Sequence, residues 1–347
     1  MYVSLILTGF VSRLTNMKLQ DIGFYTLSEE RALNVSALSP MQRCEMILTD
    51  RCNFKCPYCR GLRNDCKGDL PIEDAMATLK LWCDDGLKNV RFSGGEPLTY
   101  PHLDALVKYA KWRGVEHIAI SSNGTFPFDR YFELITEGVN DFSISLDACC
   151  SSYGDKMAGV SGQFERVTYN IVELAKLVYT TVGVVLTNET VSTTRQVVEF
   201  AHGLGVTDIR IIPCAQEGNG NDELVRQVKM IPQEILDAHP ILAYRVANIK
   251  LGIPVRGIDE TDTHKCYMAL DDSVVSGGYH FPCVIYMREH GTPIGKVGPN
   301  MRGQRVAWMA QHDTHTDPIC RANCLDVCVD HNNRCAWYQQ RKHWYGK

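Results

Sequence analysis

From Glu45 to about Cys214 the chain alternates short apolar, β-branched runs with longer stretches of helical spacing. The runs Glu45–Thr49, Val90–Phe92, His117–Ser121, Asp141–Leu146, Thr181–Leu186 and Asp208–Pro213 predict six strands. Between the first two, Ile72–Asp84 carries Ala75, Leu79 and Trp82 at helical spacing, with Pro71 just ahead at a helix start. Leu103–Trp112, Tyr131–Thr136, Phe164–Val178 and Thr194–Gly203 are the other predicted helices, the first two stopped by Gly114 and Gly138. Strand ends carry glycine or short polar residues: a cysteine loop, then Ser93-Gly94-Gly95-Glu96-Pro97, Ser122-Asn123-Gly124, Asp147 and Thr187-Asn188. Six successive βα units predict a parallel sheet with right-handed crossovers, as an open doubly wound sheet or a full or partial barrel. In each of these, ligands sit at the carboxyl ends of the strands, where this punctuation falls.

The flanks read differently. Residues 17–43 form an irregular lead-in, and Met17 is an alternative start. Ile231–Ile249 is predicted helical, with Pro232 at its start and a break near Pro240. After Cys266 the runs shorten around Gly277-Gly278, Pro282 and Gly291, which predicts hairpins and loops. The expected domains are a lead-in (1–43), a core (44–215), a connecting segment (216–260) and a cysteine-rich domain (261–347).

No stretch approaches the ~20 apolar residues of a membrane span. Met1 to Val11 is apolar but lacks a basic flank and a clear cleavage site, which argues against a signal peptide. A net charge of −4 is too small to indicate a polyanionic partner. Fifteen cysteines are clustered, not evenly spread. Three lie at Cys52, Cys56 and Cys59, and six between Cys266 and Cys335. An odd, clustered set in a chain of this size points to metal or cluster ligation in a reducing compartment, so a cytoplasmic location is expected.

The spacing C-x3-C-x2-C crowds three thiolates into a short loop. Three cysteines on a [4Fe–4S] cube leave one iron without a protein ligand, the logic of an open catalytic site. A zinc knuckle is the alternative from spacing alone. Cys44, Cys66, Cys83 and Cys214 read as structural, and Cys149-Cys150 as small buried residues or a redox pair.

Cys52-x3-Cys56-x2-Cys59 after the first strand, with Gly94-Gly95-Glu96-Pro97 after the second, resembles the radical S-adenosylmethionine (radical SAM) superfamily. The spelling Leu-Thr-Asp-Arg-Cys-Asn-Phe-Lys-Cys-Pro-Tyr-Cys is most similar to the branch of molybdenum-cofactor synthases and SPASM/twitch enzymes, and the similarity runs from about Arg43 to Cys214. The resemblance implies an α/β fold: a partial (β/α)6 barrel followed by a cysteine-rich, SPASM/twitch-like auxiliary-cluster domain. Cys52, Cys56 and Cys59 would hold a [4Fe–4S] cluster whose open iron chelates SAM. Reductive cleavage would give methionine and a 5′-deoxyadenosyl radical that abstracts a substrate hydrogen, with the electron supplied by a donor such as flavodoxin or ferredoxin.

Carried over by position, Tyr58 would lie against the adenine, and Gly94, Gly95 and Glu96 would meet the methionine amino group. Ser122 and Asn123 would contact the ribose or carboxylate, and Ser145, Asp147 and Asn188 are further SAM contacts. Each of these polar residues could instead cap a helix or a turn. One feature departs from the family: where relatives often carry His-Asp…Arg-Gly, this chain has Tyr153-Gly154-Asp155-Lys156-Met157-Ala158-Gly159. Alanine stands at the arginine position, and Lys156 is the nearest substitute, though a point charge cannot replace a guanidinium fork.

Cys266 and Gly278-x4-Cys283 resemble the opening half of a SPASM or twitch domain, followed by Cys320, Cys324, Cys328 and Cys335. If 320–328 is helical, Cys320, Cys324 and Cys328 share one face. One auxiliary [4Fe–4S] cluster on Cys266, Cys283 and two later cysteines is expected. Two clusters, or a zinc site joined by His264, His280 or His331, are the alternatives. The expected activity is modification of a peptide or protein side chain. A small molecule, a nucleotide or a nucleic-acid base is the alternative substrate, and a non-catalytic iron–sulfur or zinc protein the second alternative. The molybdenum-cofactor synthase itself is disfavoured, since its auxiliary C-x2-C and terminal Gly-Gly have no counterpart in a chain ending Tyr345-Gly346-Lys347.

Overall fold

The computed structural model describes residues 19, 22, 27–218 and 222–345, so the alternative start at Met17 lies outside the described residues. The βα cadence appears in order. It runs α1 (Glu29–Asn34), β1 (Arg43–Ile47), α2 (Ile72–Asp84), β2 (Asn89–Ser93), α3 (Leu103–Trp112) and β3 (His117–Ser122). Then come α4 (Phe128–Glu137), β4 (Asp141–Ser145), α5 (Ser151–Ala158), α6 (Phe164–Ala175), β5 (Tyr179–Leu186), α7 (Thr194–Gly203) and β6 (Asp208–Pro213). The chain continues with α8 (Asp222–Lys229), α9 (Gln233–Ala238), α10 (Pro240–Lys250), β7 (Asp272–Ser276), β8 (Tyr279–Phe281) and α11 (Val284–Arg288). It closes on β9 (Gly295–Lys296), α12 (Met301–Gln311), α13 (Pro318–Asn323) and α14 (Asp326–Tyr345).

The chain forms two compact units. One contains Cys52–Cys59 with Ile120–Val255; the other joins the stretch ending at Arg51 to Arg60–Ala119 and to the residues from Arg256 on. In the first unit β4, β5 and β6 are parallel neighbours, with Asp141 opposite Tyr179 and Thr181 opposite Asp208. Their helices turn apolar stripes inward: Val167, Ile171 and Leu174 on α6, and Val197, Val198 and Ala201 on α7. The expected break near Pro240 is real. His239 separates α9 from α10, and the buried Asp208 carboxylate accepts from Ile241 N (3.0 Å) at the new helix start.

In the second unit β1 lies between β2 and β7, parallel to both. β7 turns into β8 through Gly277 (φ 56°) and Gly278 (φ 78°), the left-handed pair that a two-residue hairpin turn requires. A Cβ on Gly277 would sit 2.6 Å from Cys66 Cα, so glycine also serves the close approach there.

Three expectations change here. The lead-in is not wholly irregular, because Glu29–Asn34 is helical, capped by Ser28. Arg31 from that helix is buried against Asp271 and Asp272, at 2.6 and 2.8 Å. The C-terminal region holds helices as well as hairpins. α14 buries Cys328, His331, Asn332 and Cys335, a stripe at i, i+3, i+4 and i+7 made of residues that an apolar pattern does not count. The third change is that 320–328 is not one helix. α13 ends at Asn323, its cap Cys324 leaves the helical conformation (φ −57°, ψ 131°), and α14 starts at Asp326, so the three cysteines do not share a helical face.

Candidate functional site

In the first unit the cysteine loop is braced from several sides. Asn123 at the end of β3 donates to Asn53 Oδ1 (2.6 Å) and lies 3.9 Å from Cys52 Sγ. Asn53 in turn donates to Thr125 Oγ1 (2.7 Å), and Phe54 N lies 3.4 Å from Cys52 Sγ. Amide donors aimed at sulfur are what tune a thiolate-bound iron centre. Lys55 N donates to Ala158 O (2.8 Å), and a Cβ on Gly159 (φ 64°) would lie 2.4 Å from Lys55 O. The Ala158-Gly159 turn is therefore pressed against the loop backbone.

Cys52 and Cys59 are exposed and Cys56 is half-buried. Burial pushes the Cys56 thiol up to about 12, and the charges of Asp147, Cys59 and Cys52 push the same way. A thiol raised in this way gives up its proton to a bound cation, so Cys56 fits a metal or cluster ligand. Among the described residues, the group whose ligand atoms fall within a single ion's reach of 4.8 Å lies elsewhere, at His312, Asp317 and Cys320.

Tyr58 hydrogen-bonds through its hydroxyl to Asp147 at the end of β4, and its carbonyl accepts from Gln216 Nε2 (2.9 Å). Asp147 is buried, accepts from Val185 N (2.6 Å), and burial raises its carboxyl to about 6. Ser122 is buried, 3.1 Å from the Tyr131 hydroxyl and accepting from Gly124 N. Ser145 is exposed at the end of β4, and Asn188 is exposed with its backbone amide on Glu217 (2.5 Å). The structure thus gathers Cys52, Cys56, Cys59, Tyr58, Asn123 and Asp147 through direct contacts or mutual charge, while Ser122 serves a turn. Asn53, Thr125 and Gln216 were not picked out from sequence; only Asn53, inside the cysteine spacing, carried a signal.

Lys156 does not behave as a replacement for the missing arginine. It pairs with Glu189 at the surface, where both are exposed. Exposed pairs contribute little, so Lys156→Met is expected to change the rate of SAM cleavage by less than about twofold. A tenfold loss in a deoxyadenosine assay would reverse this reading.

The glycine strip lies in the second unit. Gly95 N donates to Thr49 O and Glu96 N to Arg51 O, both at 2.7 Å. Gly94 (φ 152°) could not carry a Cβ, which would lie 2.5 Å from Thr49 O, and one on Gly95 would lie 2.2 Å from Arg51 O. Glu96 is fully buried and accepts from Leu98 N. Arg288, from the C-terminal end of α11, donates to Gly94 O (2.8 Å) and Gly61 O (2.9 Å). A residue of the cysteine-rich region therefore holds the strip in place.

Of the six late cysteines, five influence one another. Burial raises the Cys283 thiol to about 12, with Cys328 adding to it. Burial also raises Cys266, Cys320 and Cys324, the first also under the charges of Cys283 and Cys328, the second under Cys266 and Cys283, and the third under all four others. Cys335 stands apart. It packs with Ala32, Val35 and Leu270 and lies 3.5 Å from His331 Nε2. His280 is engaged with Gln304 (3.0 Å) and His264 with Asp313 (3.0 Å), so neither joins the cysteines.

Residues 46–201 match the family model described as the radical SAM superfamily. They are a radical SAM domain. Members of this family use a [4Fe–4S] cluster and SAM, and the cysteine loop and glycine strip are the parts of the domain that fit them. The chain is also similar to GTP 3',8-cyclases. It is 32% identical to that of Synechococcus sp. (strain CC9902) over 127 residues, which is 35% of this chain and 37% of the relative. It is 35% identical to that of Staphylococcus aureus (strain Mu3 / ATCC 700698) over 118 residues, 31% of this chain and 35% of the relative. The matched stretch thus spans about a third of the curated relatives' length.

Solved structures extend the likeness. Streptococcus suis SuiB bound to precursor peptide SuiA aligns at TM-score 0.57 and 14% identity, covering 84% of this chain and 67% of that one. anSMEcpe with bound AdoMet and Cp18Cys peptide aligns at TM-score 0.57 and 15% identity, covering 87% and 98%. At such identities the likeness establishes the fold: the α/β fold of radical SAM proteins, with a cysteine-rich C-terminal region consistent with an auxiliary-cluster domain. Among the described residues no helix is long and apolar enough to cross a membrane.

Proposed function

We propose that this protein is a radical SAM enzyme that cleaves SAM reductively at a [4Fe–4S] cluster on Cys52, Cys56 and Cys59. The observation that carries the reading is the backbone at Gly94 and Gly95, which leaves no room for a Cβ beside Thr49 and Arg51 within a radical SAM domain. When bound, the cluster and SAM supply a 5′-deoxyadenosyl radical. The chain's own residues do the rest. Asn53, Asn123 and the Phe54 amide orient the Cys52 sulfur. The half-buried Tyr58 and the buried Asp147 form a hydrogen-bonded pair on the adenine side. Gly94–Glu96 presents backbone groups to the amino acid moiety, steadied by Arg288.

The second centre is an auxiliary cluster on Cys266 and Cys283 with two of Cys320, Cys324 and Cys328. Cys335 is a core residue. Two variants separate these roles. Cys335→Ala is expected to leave iron at about 8 per chain and to cost on the order of 1 kcal/mol of stability. Cys283→Ala is expected to bring iron to about 4 per chain, sparing SAM cleavage while stopping substrate turnover. Iron loss in Cys335→Ala, or none in Cys283→Ala, would refute the assignment.

The substrate is a peptide side chain in the first reading, which rests on the cysteine-rich second centre in a fold shared with SuiB and anSMEcpe. A nucleotide is the second reading, favoured by the GTP 3',8-cyclase relatives. The test is anaerobic turnover with a reductant such as flavodoxin, SAM, and either deuterated GTP or a deuterated peptide library. 5′-Deoxyadenosine must form, and the substrate that passes its deuterium to it decides between the readings. A fully loaded protein that forms no deoxyadenosine would end both.

A further inference from the structure

The one tight trio of unlike metal ligands among the described residues is not explained by the cluster chemistry. His312 Nε2 lies 3.6 Å from Cys320 Sγ and 4.0 Å from Asp317 Oδ2. Two donors on one tetrahedral ion, with bonds of about 2.3 Å to sulfur and 2.0–2.1 Å to nitrogen, stand about 3.6 Å apart. The His312–Cys320 contact is a hydrogen bond as it stands; in a cube each protein ligand takes a different iron, so an imidazole at this distance would, as a ligand, share the metal of Cys320. That geometry is mononuclear.

Each donor is held by surrounding side chains. His312 leaves the end of α12 in an extended conformation, and its ring stacks on Trp308 at 3.9 Å and 18°, with Tyr286 edge-on at 6.1 Å. Asp317 caps α13 through Oδ1, accepting from Ile319 N and Cys320 N at 2.8 and 2.9 Å. Its Oδ2 accepts from the Tyr286 hydroxyl at 2.9 Å and, as a carboxylate oxygen, keeps further acceptor capacity. A hydroxyl on the carboxylate and a stacked indole on the imidazole are the outer contacts that orient ligands at built metal sites. Tyr286 keeps its place because Gly291 follows it, where a Cβ would lie 2.3 Å from the ring. Lys265, next to Cys266, donates to Ala310 O (2.7 Å) and His312 O (3.4 Å), fixing the end of α12.

We infer that His312, Asp317 and Cys320 form a mononuclear Zn²⁺ site, separate from the iron–sulfur centres. A sulfur, nitrogen and oxygen set with three protein ligands suits Zn²⁺ and leaves one position open. The site itself does not depend on the radical SAM reading. Its consequence for that reading is specific: Cys266, Cys283, Cys324 and Cys328 remain, four thiolates for the four irons of one auxiliary cube.

The test is elemental analysis of the full chain, purified and reconstituted anaerobically with zinc present, as wild type, His312→Gln and Cys320→Ala. About 1 Zn per chain in the wild type, lost at least fivefold in both variants with iron unchanged, is the expected result. Cobalt(II) titration of the wild-type chain gives a second measurement that needs no variant to fold. Tetrahedral d–d bands with a thiolate charge-transfer band are expected at one equivalent. Absence of zinc together with absence of the cobalt spectrum would overturn the site, and so would loss of about 4 Fe per chain in Cys320→Ala. A wild type with zinc but only about 4 Fe would instead retire the auxiliary cluster and leave this site standing.

Discussion

Cys56→Ala is expected to abolish SAM cleavage, lowering 5′-deoxyadenosine formation by well over 100-fold. Even contacts that only orient a metal's ligands are worth 10–100-fold, and this change removes a residue proposed as a ligand. The local physics makes Cys56 the least replaceable of the three. It is the half-buried one, and burial with the charges of Asp147, Cys59 and Cys52 raises its thiol to about 12. Its proton must leave when it ligates a cation, so cluster binding at Cys56 is coupled to proton release. Iron should fall by about 4 per chain, with loss of the corresponding visible absorption. Deoxyadenosine formation within tenfold of wild type would mean that the cluster sits elsewhere.

Gly95→Ala is the second large effect. The new methyl would meet Arg51 O at 2.2 Å, Arg51 C at 2.7 Å and Asp50 O at 2.8 Å, all backbone. No rotamer change relieves a clash with backbone. The segment entering the cysteine loop must move, breaking the Gly95 N to Thr49 O and Glu96 N to Arg51 O bonds. Overpacking of this kind costs about 3 kcal/mol, and SAM affinity should fall at least tenfold with it. Gly61→Ala is the control: its φ of 64° favours glycine, but nothing lies within 4 Å of the added atom. That change should cost about 1 kcal/mol. Calorimetry of the two variants with and without SAM checks the difference, and equal, small shifts would remove the steric account of the strip.

Much of the first 215 residues was legible because its elements follow periodic rules. Ile72–Asp84, Leu103–Trp112, Thr194–Gly203 and Asp208–Pro213 appear at the predicted bounds. A helix that packs on a sheet must show an apolar stripe, and a buried strand an apolar run. The α5 helix escaped, since Ser151–Ala158 buries only Met157 and Ala158. α14 escaped for a different reason: its inward stripe is Cys328, His331, Asn332 and Cys335. Cysteines that would serve as ligands and cysteines that serve as core look the same in one dimension. Cys335 was grouped with the ligands on spacing, and the structure packs it against Ala32 and Val35.

The sequence by itself determined the thiolate triplet, the glycine strip after the second strand, and the βα order that sets each at a strand's carboxyl end. Those features depend on residues near one another in the chain, where spacing is geometry. Only the tertiary structure decided which distant residues meet. β7 pairs with β1 across more than 220 residues. Arg288 reaches Gly94, Asn123 reaches the cysteine loop, and His312 folds back to Cys320 across a helix end. Such contacts depend on how helix ends turn and how burial is shared among elements, and no local pattern carries that information.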